Sequence, residues 1–275
     1  MITALALDLL LLGPTPGAAI KWERNFDDAI KKAQKSGKPV IVDFWADWCA
    51  WCHRLDRNTY ADPAVVQKAQ EFVAVKVNTE GSRREVEVAI RYGVSSLPTI
   101  VFLSPQCRQV LRLNGFQGPG QFPHTLEAAL QSARRVMAWE EGLDRNPDDP
   151  RALAALGTHL FEQEAYDEAR EMLCRAVGHD ADAPVGDRRR VRMLLAILQN
   201  YDHNFAEAEN LIKDALSLQP KGDDEAKLLF VLGRTYVSWG RHAEGVHTME
   251  VIVREYPHSP LAQKARETLV TLERK

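Results

Sequence analysis

The stretch 40–56, Val-Ile-Val-Asp-Phe-Trp-Ala-Asp-Trp-Cys-Ala-Trp-Cys-His-Arg-Leu-Asp, leaves this chain few folds to choose from. A β-branched run, Val40, Ile41 and Val42, ends in Phe44-Trp45, and turn-prone Ala46-Asp47 leads into two cysteines three residues apart. The pattern predicts a strand, a tight turn and a helix N-terminus. Cys49 then sits on the first helical turn, where free backbone N–H groups and the positive end of the helix dipole favour thiolate over thiol, so it is expected to be the attacking sulfur. Cys52, one turn on, shares that face and is close enough to close a disulfide, while its side chain points back into the domain. That is the position of a resolving partner.

The flanking segments alternate in period. Trp22, Phe26, Ala29, Ile30 and Ala33 recur at helical spacing until Gly37-Lys38-Pro39 stops them, which predicts a helix over 22–35. Asp62-Pro63 opens a short helix through Ala69, and 72–78 reads as a second strand, apolar except for Lys76. A helix over 83–92 closes at Gly93, a third strand covers 99–103, and 104–107 turns it into 109–113 as a hairpin. Strands alternating with helices, then a hairpin, imply an α/β domain: a mixed sheet with helices on both faces.

A length of 275 residues exceeds one ordinary domain, so two are expected, each with its own core. With a formal net charge of −3 and no basic run longer than Arg188-Arg189-Arg190, the chain carries no electrostatic signature of nucleic-acid or membrane-surface binding. Four cysteines are too few for a disulfide scaffold at this length; only Cys49 and Cys52 are spaced as a pair, and Cys107 and Cys174 read as single inert thiols. Residues 1–19 carry an apolar run, 4–12, followed by Gly13-Pro14-Thr15-Pro16 and small residues at Gly17 and Ala19, the pattern of a secretory leader and its cleavage site. The missing basic residue ahead of the run and Asp8 within it speak against that reading. Export to a bacterial periplasm is the expectation, a cytoplasmic location the alternative. The run is too short to span a bilayer, so no stable membrane insertion is expected.

Several of these residues together resemble a thioredoxin-fold domain over 20–133. Asp43 through Trp48 stands where that family has a buried aspartate and the tryptophan before the nucleophile, with Lys76 as the aspartate's neighbour. Tyr92-Gly93-Val94 precedes Ser96-Leu97-Pro98-Thr99, which is similar to the family's cis-proline loop, and Gly115 is similar to the glycine after its last strand. Gly37-Lys38-Pro39 and Trp48-Cys49-Ala50-Trp51-Cys52 most resemble exported thioredoxin-like proteins and the C-terminal domain of the disulfide-interchange protein DsbD.

The resemblance implies a redox-active Cys49–Cys52 pair and no metal or organic cofactor. A cis Pro98 would present the backbone of Leu97 to an extended substrate strand. Asp43, its charge disfavoured by burial, would exchange a proton with Cys52 as general base; the alternative is an aspartate paired with Lys76 for structure alone. Trp48 and Trp51 would form an apolar rim for clients, and His53 reads as a solvated helix residue. Half of a zinc site is the rival for the cysteines, but no second Cys-x-x-Cys or close histidine pair supplies the other ligands. Ala50-Trp51 replaces thioredoxin's Gly-Pro, and the proline that kinks the next helix is missing, so the direction of electron flow stays open, with reduction implied by resemblance.

A helix is expected over 122–143, with 134–147 as connecting helix and linker and the Pro-containing break 144–150 as the boundary to a repeat domain over 148–275. Leu153, Leu156, Gly157, Leu160, Ala169, Leu173 and Ala176 recur as Leu229, Leu232, Gly233, Tyr236, Gly245, Met249 and Ile252. A middle copy has Leu195, Ala196, Ala208, Ile212 and Ala215, and Leu156, Leu195 and Leu232 fall 39 and 37 residues apart. The pattern resembles tetratricopeptide repeats, whose period is 34, with the excess in loops at 181–187 and 221–224. Three helix pairs and a final helix over 260–273 would form an all-α superhelix that binds a protein or peptide. Arg151, Arg190 and Lys227 fall at one repeat position, expected in the first turn of each leading helix, with Arg234 two turns further on. Cations there oppose the helix dipole, so an acidic partner segment is one explanation and ordinary solvated charge the other. The expected function is a thiol-disulfide oxidoreductase that reduces protein disulfides, reset by an electron-donor protein, with a repeat domain for clients or partners. A co-chaperone or assembly scaffold with secondary redox activity is the alternative, and an isomerase a third.

Overall fold

The computed structural model describes residues 19–220 and 224–273. The expected leader, Ala19 apart, and 221–223 of the expected second loop lie outside the described residues. The chain divides into two compact units between Met137 and Ala138.

The first unit runs β1 (Trp22–Glu23), α1 (Phe26–Ser36), β2 (Val40–Trp45), α2 (Ala50–Arg54), a π-helical turn (Leu55–Thr59), α3 (Pro63–Ala69), β3 (Val73–Asn78), α4 (Arg83–Arg91), β4 (Thr99–Leu103) and β5 (Gln109–Asn114); α5 (Phe122–Arg145) follows. The sheet order is β1-β3-β2-β4-β5, with β3 parallel to β1 and β2, and β4 antiparallel to β2 and β5. Paired register sets the faces. Val40, Val42 and Phe44 of β2, Val73, Val75 and Val77 of β3, and Val101 and Leu103 of β4 form one core with α1 and α4. On the alternate positions Asp43 pairs with Lys76, and this face meets the π-helical turn through Asp56.

Trp22 departs from the helix expected over 22–35. Asn25 is the N-cap of α1, its side chain accepting from the Asp28 N–H at 3.1 Å, so the helix begins at Phe26. Trp22 instead lies in the edge strand beside Ala74, and its ring meets Tyr60 at 4.9 Å between centroids. The four-residue step from Trp22 to Phe26 imitated a helical stride that the cap interrupts.

The second unit holds α6 (Pro150–Glu162), α7 (Tyr166–Gly178), α8 (Val185–Tyr201), α9 (Phe205–Ser217), α10 (Glu225–Ser238), α11 (His242–Glu255) and α12 (Pro260–Glu273). α6 packs on α7, α8 on α9 and α10 on α11, each pair on its neighbour, and α12 on α11. Close approach explains the small residues: a Cβ on Gly157 would come within 2.8 Å of the Leu173 side chain, and one on Gly233 within 2.8 Å of Met249 Cε. Two expectations need correction here. α8 starts inside the stretch read as a loop at 181–187, so Arg190 lies in its second turn, whereas Arg151 and Lys227 are in the first turns of α6 and α10.

The basic run 188–190 also divides in role. Arg189 is only 2% exposed; it donates to the carbonyls of Ala215 (3.2 Å) and Leu218 (2.6 Å) at the end of α9 and to Asp224 (3.0 Å) ahead of α10. One guanidinium thus satisfies carbonyls that a helix end leaves free and ties the second helix pair to the third. Arg192 similarly bridges Asp180 and Asp214. Replacing Arg189 with Ala strands those acceptors in a buried place. Arg189→Ala is expected to lower unfolding stability of the repeat unit by about 3 kcal/mol, read by urea denaturation followed by far-UV circular dichroism; a loss under about 1 kcal/mol would contradict this role.

Candidate active site

Cys49 is the N-cap of α2 and forms a disulfide with Cys52, their Cα atoms 5.3 Å apart. The Cys49 N–H donates to the Ala46 carbonyl at 3.0 Å, which fixes the turn after β2. The Cys52 N–H lies 3.1 Å from Cys49 Sγ, a donor placed where a thiolate on Cys49 would need one. Cys49 is 3% exposed and Cys52 0%, so a client sulfur reaches only the first. The helix beyond has no proline kink; the Tyr60 N–H reaches back to the Leu55 carbonyl at 2.9 Å instead, a π-helical turn.

That turn sets the charges beneath the cysteines. Lys76 Nζ donates to Asp43 Oδ2 at 2.8 Å and to Asp56 Oδ1 at 2.6 Å. The rings of Trp22, Tyr60 and Trp45 lie 5.0, 5.4 and 5.8 Å from the ammonium. Burial raises the Asp43 carboxyl above its ordinary pKa; Lys76 pulls it down and Asp56 pushes it up. Lys76 is driven down by burial, yet the two carboxylates leave it above its ordinary value. Asp43 Oδ1 and the Tyr60 hydroxyl are buried atoms without a hydrogen bond of good geometry, and burial, then the Asp43 charge, holds the phenol well above its usual range.

Leu97-Pro98 is a cis peptide. Thr99 pairs with Phe44, so Pro98 falls at the end of β2 that leads into the cysteine turn. The Gly115 N–H donates to the Pro98 carbonyl at 2.8 Å, and Gly115 holds φ 89°, a left-handed conformation that explains a glycine there. Leu97 packs partly buried against the core. Trp48 is 67% exposed, its indole N–H donating to Glu80 at 2.7 Å; Trp51, 51% exposed, meets Phe116 at 5.4 Å. His53 is engaged with the Asp47 carbonyl at 2.8 Å. In the repeat unit Arg151, Arg190, Lys227 and Arg234 are all exposed.

The structure therefore brings together Cys49 with Cys52, Asp43 with Lys76, and Pro98 with Gly115. Asp56, Tyr60, Glu80, Arg54 and Phe116 were not singled out from sequence; each joins the site through a contact across the fold, and Asp56, four residues after Cys52, was the one with a usable positional signal. Among the described residues Cys107 and Cys174 form no disulfide. Among the described residues no cluster of three or more histidine, cysteine or acidic side chains is placed to hold a metal ion, and no helix is long and apolar enough to cross a membrane.

Comparison with known proteins adds the following. Residues 26–130 match the family model for a thioredoxin-like domain, and 127–184 match that for a tetratricopeptide repeat. The thiol:disulfide interchange protein DsbD of Salmonella paratyphi A is 36% identical over 93 residues, 33% of this chain but 16% of that protein, and that of Vibrio vulnificus is 36% identical over the same length and shares. A solved thioredoxin from Thermus thermophilus is 28% identical with a TM-score of 0.39, covering 42% of this chain and 90% of its own. The chain thus carries a thioredoxin-like domain followed by tetratricopeptide repeats, and its match spans about a sixth of the length of the DsbD proteins.

The raised Asp43 pKa has a definite sign. Above its ordinary 3.8 the native state holds a proton that the unfolded chain releases, so this group's contribution to stability falls as pH rises toward the folded pKa. In the oxidised protein Asp43→Asn removes that fall and leaves Lys76 with Asp56. The stability of the variant minus that of the parent is expected to grow as pH is raised from 4 to 8, measured by thermal unfolding; a difference that stays flat or shrinks would show that Asp43 is not raised.

Proposed function

We propose that this protein is a thiol-disulfide oxidoreductase that reduces protein disulfides, with the repeat unit binding the client or a partner protein. The observation that carries the reading is the Cys49–Cys52 disulfide, with a single accessible sulfur at the strand end that also holds cis Pro98. Similarity to part of the thiol:disulfide interchange protein DsbD supports the same chemistry.

In the reduced form the Cys49 thiolate, stabilised by the Cys52 N–H, attacks one sulfur of a client disulfide and releases the other client sulfur as a thiolate. Asp43 takes the Cys52 proton. The Cys52 thiolate then attacks Cys49 Sγ, the Cys49–Cys52 disulfide forms, the second client sulfur leaves, and the proton returns to it. The client gains two electrons and the pair loses two, so a dithiol donor protein must restore the pair after each turnover. Lys76 stays charged throughout, which leaves Asp43 as the proton-carrying member of the buried network. Pro98, with no N–H, and the backbone of Leu97 offer an edge to an extended client, flanked by Trp48 and Trp51. The apolar stretch at 4–12 supports an exported protein, with the periplasm as its compartment.

In the repeat unit α6 packs on α8 and α8 on α10, so Arg151, Arg190 and Lys227 recur along one layer of leading helices at the same distance from Leu156, Leu195 and Leu232. With Arg234 they offer cations to an acidic segment of a partner. A scaffold acting through the repeats alone is the rival reading, and it gives no reason for a cysteine pair accompanied by a fully buried aspartate whose pKa is raised by burial.

Cys49→Ser is expected to abolish reduction of insulin by this protein in the presence of dithiothreitol, and Cys52→Ser to accumulate a client mixed disulfide on a non-reducing gel. Turnover surviving in Cys49→Ser would falsify the oxidoreductase reading. For the repeat unit, the double variant Arg190→Ala, Lys227→Ala is expected to weaken binding of an acidic peptide by roughly fivefold at 50 mM salt, measured by calorimetry; unchanged affinity discards the acidic-partner assignment.

A further inference from the structure

Beside the cysteines stands a guanidinium that no carboxylate among the described residues engages. Arg54, the last residue of α2, is exposed, and among the described residues no ion pair or hydrogen bond engages its side chain. Its central carbon lies 5.1 Å from the Trp51 ring and 5.0 Å from the Phe116 ring, and the two rings are 5.4 Å apart. The three groups sit at the corners of a nearly equilateral triangle.

Phe116 is held on both sides. The Gly115 N–H binds the Pro98 carbonyl at 2.8 Å, the Thr59 hydroxyl donates to the Gln117 carbonyl at 2.7 Å, and Thr125 donates to Gln117 Oε1 at 2.6 Å. Trp51 lies between the two cysteines in sequence, and Phe116 follows the residue that grips Pro98. The triangle therefore joins the cysteine turn to the cis-proline loop, the two walls between which a client would lie.

Contact with a ring face uses the π-side of a guanidinium and leaves its N–H edge free for a bidentate carboxylate. Holding the side chain against two rings also removes part of the rotamer freedom that usually makes an exposed ion pair weak. The charges on the Trp48 side have the other sign: Asp47 is exposed and Glu80 accepts from the Trp48 indole. The rim of the cysteine site is thus acidic beside Trp48 and basic beside Trp51.

We propose that Arg54, on its Trp51–Phe116 platform, is a specificity-determining residue that selects client segments carrying an aspartate or glutamate next to the disulfide cysteine. The inference rests on the oxidoreductase reading of Cys49 and Cys52 and names the client chemistry it prefers. No bond is made or broken at Arg54; it binds and orients.

The test uses the full chain and three disulfide-bonded model peptides that differ only in the residues flanking cysteine, acidic, neutral or basic. For each protein the readout is the ratio of kcat/KM for the acidic peptide to that for the basic one. Both peptides meet the same attacking sulfur, so a change in Cys49 reactivity cancels in that ratio. The parent is expected to favour the acidic peptide by roughly fivefold at low salt, a preference that collapses near 1 M salt. Arg54→Glu should invert the ratio. Arg54→Lys should keep its direction with a smaller value, because an ammonium lacks the planar fork. A ratio that is the same in the parent and in Arg54→Glu, while the neutral peptide is turned over, overturns the specificity assignment alone. Failure of the parent to reduce the neutral peptide sinks the oxidoreductase reading, and the assignment with it.

Discussion

A lysine held between two carboxylates is the interaction on which the site's electrostatics depend. Asp43 on β2, Lys76 on β3 and Asp56 on the π-helical turn come from three elements, and the pair of salt bridges at 2.8 and 2.6 Å ties them together. Two negative groups compete for one positive group, Asp43 from full burial and Asp56 from the solvent side. Burial is the largest influence on Asp43, and Asp56 draws on the same ammonium, so the pairing with Lys76 does not bring the carboxyl back to its ordinary value. The three surrounding rings take the place of water around the ammonium. Lys76 is held above its ordinary pKa and Asp43 above its own, so the carboxyl is the group of this pair that takes up a proton first as pH falls.

What the sequence made legible in this domain was local chemistry. The strand entering the cysteine turn, the Asp62-Pro63 start of α3, the Gly93 stop and the hairpin after β4 each carry their signal within a few residues. Pro98 and Gly115 also announced themselves, since one needs a special peptide geometry and the other a left-handed backbone. The misreading of Trp22 shows the limit of periodicity: a ring four residues before Phe26 fits a helix until the Asn25 cap is weighed. Tyr60, and the turn that carries Asp56 to Lys76, were illegible for another reason. Nothing in Leu55–Thr59 marks a π-helical turn, and only the bond from the Tyr60 N–H to the Leu55 carbonyl shows that the helix widens there.

The repeat unit repeats the lesson with charge. Its helices were readable because apolar and small residues must recur where helices approach, as at Gly157 and Gly233. Arg188-Arg189-Arg190 looked like one solvated run, yet Arg189 is buried and Arg190 exposed. The partners that make burial of Arg189 tolerable are carbonyls and carboxylates 26 to 36 positions along the chain, beyond the reach of any local pattern. The start of α8 at Val185 follows the same logic, because a helix that begins earlier carries Arg189 and Arg192 to the acceptors around them.

Buried and exposed charges then divide the work of the first unit. Asp43 is fully buried and Lys76 mostly so, with Asp56 reaching toward solvent, whereas Arg54 lies in water, where a Debye length of about 8 Å confines its influence to a client already in contact. The chain's formal net charge of −3 gives no long-range attraction for acidic clients, so any preference for them must arise at the rim itself. Cys49 keeps only a sliver of exposure, whereas Trp51 is half exposed and its ring meets that of Phe116. On the specificity role proposed for Arg54, the aromatic surfaces would supply contact area with little regard to sequence, and the guanidinium on their platform would supply the sign.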